Sequence, residues 1–320
     1  RTYKDDLKIL SELNINCFRT SISWSRIFPN DDYEINEEGL NYYISLFKEC
    51  KKYGIEPLVT LSHFDTPLYL TKKFDGWKSK ETLERFVHYS EVVMNRLKHL
   101  VKYWIPINEI NMILHIPYLG GGMVSTDEKD KYMAAHNMLC ASAEVSRLAK
   151  KINPNNKVGS MLAAGVYYPY SSHPKDVEAA QKENRKAYLF TDVSLRGAYP
   201  KHMESKLDFD VSSKEKELLK NNTADFIAIS YYTTRLIAGT EVASEAIDGN
   251  SAKTLRNQYL KITPWGRQID PLGLKTTLSD IYDRYEKPIF IVENGLGVED
   301  TIIDGKIHDA SEDFSHDNMA

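Results

Sequence analysis

Six short runs of strand type alternate along this chain with stretches that carry a helical repeat of apolar residues. The runs cover residues 16–23, 56–62, 103–109, 157–163, 225–232 and 287–293. Several are apolar almost throughout, as in Pro57-Leu58-Val59-Thr60-Leu61 and Ile289-Phe290-Ile291-Val292. A strand with apolar side chains on both faces must be covered on both faces, which is what a parallel sheet flanked by helices provides. Between the runs, residues 4–13 read as a helix carrying Leu7, Ile9, Leu10 and Leu13. Asn36 is a good N-cap, with Glu37 and Glu38 in the first turn and Gly54 as the stop. Further helices are predicted at about 79–99 and 127–151, the second ended by Asn153-Pro154. This alternation predicts βα units and an α/β fold. No fixed-period repeat is present, which excludes a solenoid. The stretches 111–126, 164–175 and 235–268 read as long irregular connections, placed to line a site as βα-loops.

Six strands leave two architectures open: an open doubly wound sheet, or a (β/α)8 TIM barrel lacking strands at both ends. The chain opens in mid-helix at Arg1-Thr2-Tyr3, and its 320 residues fit a single large domain. Its net charge is −4 and no block of like charge exceeds a few residues, so a nucleic-acid footprint is not indicated. No apolar run reaches the roughly 18–20 residues that span a bilayer. Cys17, Cys50 and Cys140 are odd in number and lack metal spacing. They read as buried reduced thiols and point to the cytoplasm. The histidines show no HExxH-type spacing, so neither a metal nor another cofactor is expected.

The chemistry is written at the strand ends. Tyr103-Trp104-Ile105-Pro106-Ile107-Asn108-Glu109 and Pro288-Ile289-Phe290-Ile291-Val292-Glu293-Asn294-Gly295 each finish on a carboxylate beside an asparagine. The C-terminal lip of a strand is where an α/β barrel keeps its catalytic groups. Two carboxyls, one protonated and one ionised, are the minimum equipment for cutting a glycosidic bond with retention. Other groups fall at the same edge: Arg19, His63, Tyr231 and Tyr232. A cation inside a strand is costly unless paired, so Arg19 is expected to face a carboxylate and keep it ionised. An asparagine beside the acid can hold a sugar 2-hydroxyl, where hydrogen bonds strengthen in the transition state.

Taken together, a set of segments is highly specific. They are Phe18-Arg19-Thr20-Ser21-Ile22-Ser23-Trp24-Ser25-Arg26-Ile27-Phe28-Pro29, Leu61-Ser62-His63-Phe64-Asp65-Thr66-Pro67, Gly76-Trp77, Asn108-Glu109-Ile110-Asn111, Tyr199-Pro200, Ser230-Tyr231-Tyr232 and Ile291-Val292-Glu293-Asn294-Gly295. Through them the chain resembles glycoside hydrolase family 1, and within it the bacterial 6-phospho-β-glucosidases, from residue 1 to about 308. The resemblance implies a TIM barrel with strands 2–7 present and strands 1 and 8 missing. It makes residues 1–308 one catalytic domain and 309–320 a divergent polar tail, and it suggests a chain truncated at both ends.

By the same resemblance Glu293 is the nucleophile and Glu109 the acid/base. Arg19 and Tyr232 would orient and charge-stabilise the nucleophile, and His63 and Asn108 would hold sugar hydroxyls. Trp77 is either a sugar contact or a structural tryptophan. Glu109 stands where the plant thioglucosidase branch has Gln, which implies O-glycosides. Ser230 and the run Pro264–Leu274 resemble the phosphate-using branch, except that Arg267 stands where an aromatic is common. Arg267 is either a solvated loop charge or an anion contact. The residues that clamp the 6-phosphate in that branch correspond to positions beyond Ala320. The implied partner is a small-molecule β-glucoside, 6-phosphorylated; nucleic acid and membrane are not implied, and oligomeric state is not addressed. The alternatives are a β-glucosidase or β-galactosidase of unphosphorylated sugars, or an inactive truncated sugar-binding protein.

Overall fold

The runs with the most continuous apolar character all become strands. A computed structural model of the chain describes residues 2–31, 33–204, 207–242, 246–248 and 253–308, so the predicted tail at 309–320 lies outside the described residues. The strands are β1 (Cys17–Ser21), β2 (Glu56–Ser62), β3 (Tyr103–Ile107), β4 (Lys157–Ala164), β5 (Phe226–Tyr231) and β6 (Ile289–Asn294). By compactness the chain divides into two units. One comprises residues 1–163, 188–228 and 287–290; the other comprises 164–187, 229–286 and 291–320.

In the first unit, β1 to β4 and the opening residues of β5 and β6 stand in sequence order in one six-stranded sheet. β1 pairs with β2, β2 with β3 and β3 with β4, all parallel; Arg19 lies opposite Leu58 and Ser62 opposite Ile107. A doubly wound sheet reverses its strand order at a switch point. This order does not reverse, so of the two architectures only the barrel-type succession matches.

The predicted helices form as α1 (Tyr3–Glu12), α2 (Glu37–Lys52), α3 (Lys80–Leu97) and α4 (Glu128–Ile152). In α2 the Asn36 side chain accepts from the Gly39 N–H at 3.2 Å. Leu40, Tyr43, Leu46, Phe47 and Cys50 turn one buried stripe inward, the three-and-four spacing that faces a core. The three cysteines are free thiols, but only Cys50 and Cys140 are buried. Cys17 is half-exposed, because β1 has no fully buried residue. Burial pushes the Cys140 thiol up to about 12, which makes it inert.

Three substantial helices carry no expectation from the sequence: α5 (Pro174–Arg196), α6 (Ser213–Asn221) and α7 (Pro271–Tyr285). In the second unit, the described parts of the stretch 235–268 are also more ordered than expected. Arg235–Ile237 pairs in parallel with Tyr167–Pro169, and Ala246–Asp248 pairs antiparallel with Lys253–Leu255. Strands of three residues are too short to show an alternation in sequence. Among the described residues, no helix is long and apolar enough to cross a membrane.

The junction of α4 with α6 holds a buried histidine. His136 Nδ1 lies 2.9 Å from the Tyr199 hydroxyl, and its Nε2 lies 3.6 Å from Glu215 Oε1. Burial opposes the charge on Glu215. Hydrogen bonds from Lys80 and from Ser212 prevail and lower its pKa to about 2. Burial likewise dominates at His136 and lowers its pKa, although the Glu215 charge acts in the opposite direction. The unfolded chain therefore binds a proton at this histidine more readily than the folded one does. Stability from His136 is complete above its unfolded pKa of about 6.5 and falls as the pH drops below it. Melting temperatures measured from about pH 7.5 to 5 should fall less steeply for His136→Gln than for the parent protein. Parallel curves would show that His136 does not carry the dependence.

Candidate active site

In the first unit, the C-terminal edge of the sheet is held together by one guanidinium. Arg19 points from β1 across its neighbours. Its Nε donates to Thr60 Oγ1 at 3.0 Å, and one terminal nitrogen donates to Asn108 Oδ1 at 2.7 Å and approaches Met161 Sδ at 3.3 Å. Residues from β1, β2, the end of β3 and β4 thus meet at a single side chain. These three partners are neutral, and Thr60 and Asn108 are buried. The bond to Asn108 fixes the amide that precedes Glu109.

Glu109 is placed by its backbone. The Asn108 N–H continues the ladder to Ser62 O at 2.9 Å, one residue past β3. At Glu109 the chain turns left-handed, with φ 42° and ψ 55°, and enters a 3-10 turn over Ile110–Leu114. A non-glycine residue in that region costs about 1–2 kcal/mol and has to be held there by its surroundings. Asn111 does the holding. Its Nδ2 donates to Ala163 O at 3.1 Å and its Oδ1 accepts from the Ala163 N–H at 2.9 Å. One side chain so imitates a strand neighbour and pins the turn to the end of β4. Glu109 as a whole is left only 7% exposed.

His63 stands one residue beyond β2 and is half-buried. Its backbone N–H donates to Asp65 Oδ1 at 3.1 Å, while Asp65 Oδ2 accepts from the Trp24 N–H at 3.0 Å. A single carboxylate therefore clasps the exits of β1 and β2. Trp77, a candidate sugar contact, is instead a core residue. It has no exposed surface and packs edge-on against Trp24 and Phe86. The preceding Gly76 has φ 60°, and a Cβ there would collide with the Gly121 carbonyl. The Gly-Trp pair serves close packing.

In the second unit, Tyr232 follows β5 directly and Glu293 lies near the end of β6. The Tyr232 hydroxyl donates to Glu293 Oε2 at 3.0 Å. The flanking residues face elsewhere. Tyr231 is buried, and its hydroxyl donates to Asp270 O at 2.6 Å, so it is a strut and not a ligand-binding group. Thr233 Oγ1 donates to Gln268 O at 2.8 Å, and Thr234 Oγ1 to Asp270 Oδ2 at 2.7 Å. The Asn294 amide donates to Tyr231 O at 2.6 Å and joins the ends of β5 and β6. Arg267 is not a solvated loop charge. It is half-buried, with its guanidinium carbon 4.7 Å from the centre of the Tyr232 ring.

The sequence-predicted residues thus fall into two groups. Arg19, His63, Asn108 and Glu109 share one sheet edge in the first unit, and Tyr232 is bonded to Glu293 in the second. Sequence reasoning gave no role to Asp65, Asn111, Asp270 or Asn294, although all four lie inside the segments it singled out. The chemistry on offer is a buried carboxyl on a rigid turn and a carboxylate oriented by a phenol, both at strand ends.

Comparison with known proteins places the whole chain. Residues 1–313 match the family described as Glycosyl hydrolase family 1. The chain is 44% identical over 318 residues to the 6-phospho-beta-glucosidase AscB of Escherichia coli (strain K12), covering 96% of this chain and 67% of that protein. It is also 44% identical over 318 residues to the Aryl-phospho-beta-D-glucosidase BglH of Bacillus subtilis (strain 168), covering 96% and 68%. Among solved structures, it is similar to a Beta-glucosidase from Thermotoga maritima in complex with glucoimidazole. The TM-score is 0.82 at 27% identity, with 97% of this chain and 71% of that one covered. The α/β fold of the chain is that of the TIM-barrel proteins it matches.

Proposed function

The chain belongs to glycosyl hydrolase family 1, and on that premise we propose that it is a retaining β-glycosidase of 6-phospho-β-D-glucosides, with residues 1–308 as its catalytic domain. One observation carries the reading: a carboxyl stands at both strand ends, 109 and 293, in a chain 44% identical to two enzymes named for phosphorylated glucosides.

The reaction runs in two displacements. The Glu293 carboxylate attacks the anomeric carbon, and the bond to the leaving oxygen breaks as Glu109 gives that oxygen its proton. Glu109, now a carboxylate, takes a proton from water. The water oxygen attacks the anomeric carbon and releases Glu293. Two inversions give net retention, and the chemistry asks for carboxyls about 5–5.5 Å apart and for no metal or cofactor. While Glu293 is glycosylated its charge is gone, which favours the ionised form of Glu109 needed in the second step.

The orienting roles implied for Arg19, His63, Asn108 and Tyr232 belong to this proposal; Trp77 does not. The bond from Tyr232 to Glu293 supports its part, and the bond from Arg19 supports a fixed Asn108 amide. The partner is a small β-glucoside, phosphorylated at its 6-position. Free, reduced cysteines support a cytoplasmic setting.

The test is hydrolysis of a 4-nitrophenyl β-glucoside with and without a 6-phosphate. Recognition of the phosphate by charge-assisted hydrogen bonds should raise kcat/KM by about 10²-fold. Equal rates would remove the phosphate preference and leave a β-glycosidase. Hydrolysis of neither compound would remove the enzymatic reading.

A further inference from the structure

We propose that Arg267 is a positioning residue for the nucleophile, acting through Tyr232. This inference rests on the glycosidase reading and on geometry confined to the second unit.

Arg267 sits on a closed hairpin. Ile262 and Gln268 form an antiparallel bridge. The Thr263 N–H donates to Arg267 O at 2.8 Å, the Arg267 N–H donates to Thr263 Oγ1 at 3.2 Å, and the Gly266 N–H donates to Thr263 O at 2.9 Å. Gly266 takes φ 82°, a turn conformation that other residues adopt only with strain. The position of Arg267 is therefore set by the backbone and does not depend on its long side chain finding a place.

The hairpin is then bolted to the segment that carries Tyr232. The side chains of Tyr231, Thr233 and Thr234 all bond to residues 268–270. In the stretch 231–234, Tyr232 is the residue whose side chain reaches Glu293. Its phenol has two parts to secure. The hydroxyl is secured by Glu293 Oε2. The ring is covered by the Arg267 guanidinium, seated 4.7 Å from its centre, within the range of a favourable cation–π contact. A phenol that swings about its χ1 angle carries its hydroxyl away from the carboxylate; the guanidinium over the ring resists that swing. In catalysis the bond to Tyr232 determines which direction the carboxylate faces as it attacks and leaves.

A double-mutant cycle on the protein at its native length separates this role from a merely structural one. Turnover of 4-nitrophenyl 6-phospho-β-glucoside is measured for the parent, Arg267→Ala, Tyr232→Phe and the double variant. Losing the ring clamp should lower kcat about tenfold, with KM within about twofold and the melting temperature unchanged. Arg267→Lys, which keeps a cation but loses the planar stack, should recover part of the loss. With the hydroxyl already gone in Tyr232→Phe, removal of Arg267 should cost nothing further. Additive losses, a change in KM alone, or an unaffected Arg267→Ala would each overturn the positioning role while the glycosidase reading stands. A parent protein inactive on this substrate and on its unphosphorylated counterpart would overturn the glycosidase reading and this role with it.

Discussion

Glu293→Gln stops turnover. The amide is nearly the shape of the carboxylate, and its oxygen can still accept from the Tyr232 hydroxyl that now bonds Glu293 Oε2. The change is therefore close to a pure loss of charge and nucleophilicity. Without a nucleophile no glycosyl-enzyme forms, and kcat should fall by roughly 10⁴-fold or more, the scale at which removing an attacking group acts. Folding should be spared, because Glu293 is half-exposed and outside the core. Mass spectrometry of the parent with a substrate that deglycosylates slowly should find one sugar on the peptide holding Glu293, and none on the variant. Activity within tenfold of the parent would remove Glu293 from the nucleophile's place.

Glu109→Gln divides the two half-reactions. A neutral amide cannot protonate a leaving oxygen or take a proton from water. Positioned general acid–base catalysis contributes about 10²–10⁴-fold, and the loss should fall unevenly. A nitrophenolate leaves without much help, so the first step survives with aryl substrates. The second step stalls, and product appears as a burst that ends after one turnover. Azide needs no general base, so adding it should restore steady turnover and release a glycosyl azide with retained configuration. A variant without a burst and without azide rescue would show that Glu109 is not the acid/base.

Much of this molecule is legible in sequence because its inner strands, β2 to β5, are buried on both faces, whereas β1 is half-buried and β6 partly exposed. Leu58, Val59, Leu61, Trp104, Ile105 and Ile227 are each wholly buried. A short apolar run that leaves no polar face for water fits the middle of a covered sheet. The N-cap of α2 is equally readable, since Asn36 bonds three residues ahead in its own chain. α5 is not. Its first half, Pro174-Lys175-Asp176-Val177-Glu178-Ala179-Ala180-Gln181-Lys182-Glu183-Asn184, shows too few large apolar residues to mark a face. The candidate catalytic carboxyls can be named from their strand ends. Their supports cannot, because Asn111 and Asp65 bond to backbone atoms of other segments, 52 and 41 residues away for Ala163 and Trp24. A partner that is a peptide group leaves no trace in residue type. Trp77 misleads in the opposite sense, as an aromatic beside a glycine fits a packing joint as well as a binding surface.

The left-handed turn at residue 109 has a consequence for how such a protein can decay. Glycine is the residue most at ease with φ 42°, and glutamate and glycine codons differ by a single base. A Glu109→Gly change removes the proposed acid and relieves backbone strain in the same step, while Asn111 continues to pin the turn to Ala163. The backbone of the turn therefore exerts no pressure to keep a side chain at this position. In a lineage where the sugar is no longer consumed, catalysis can vanish silently, leaving a well-folded descendant that purifies, crystallises and aligns like its working ancestors.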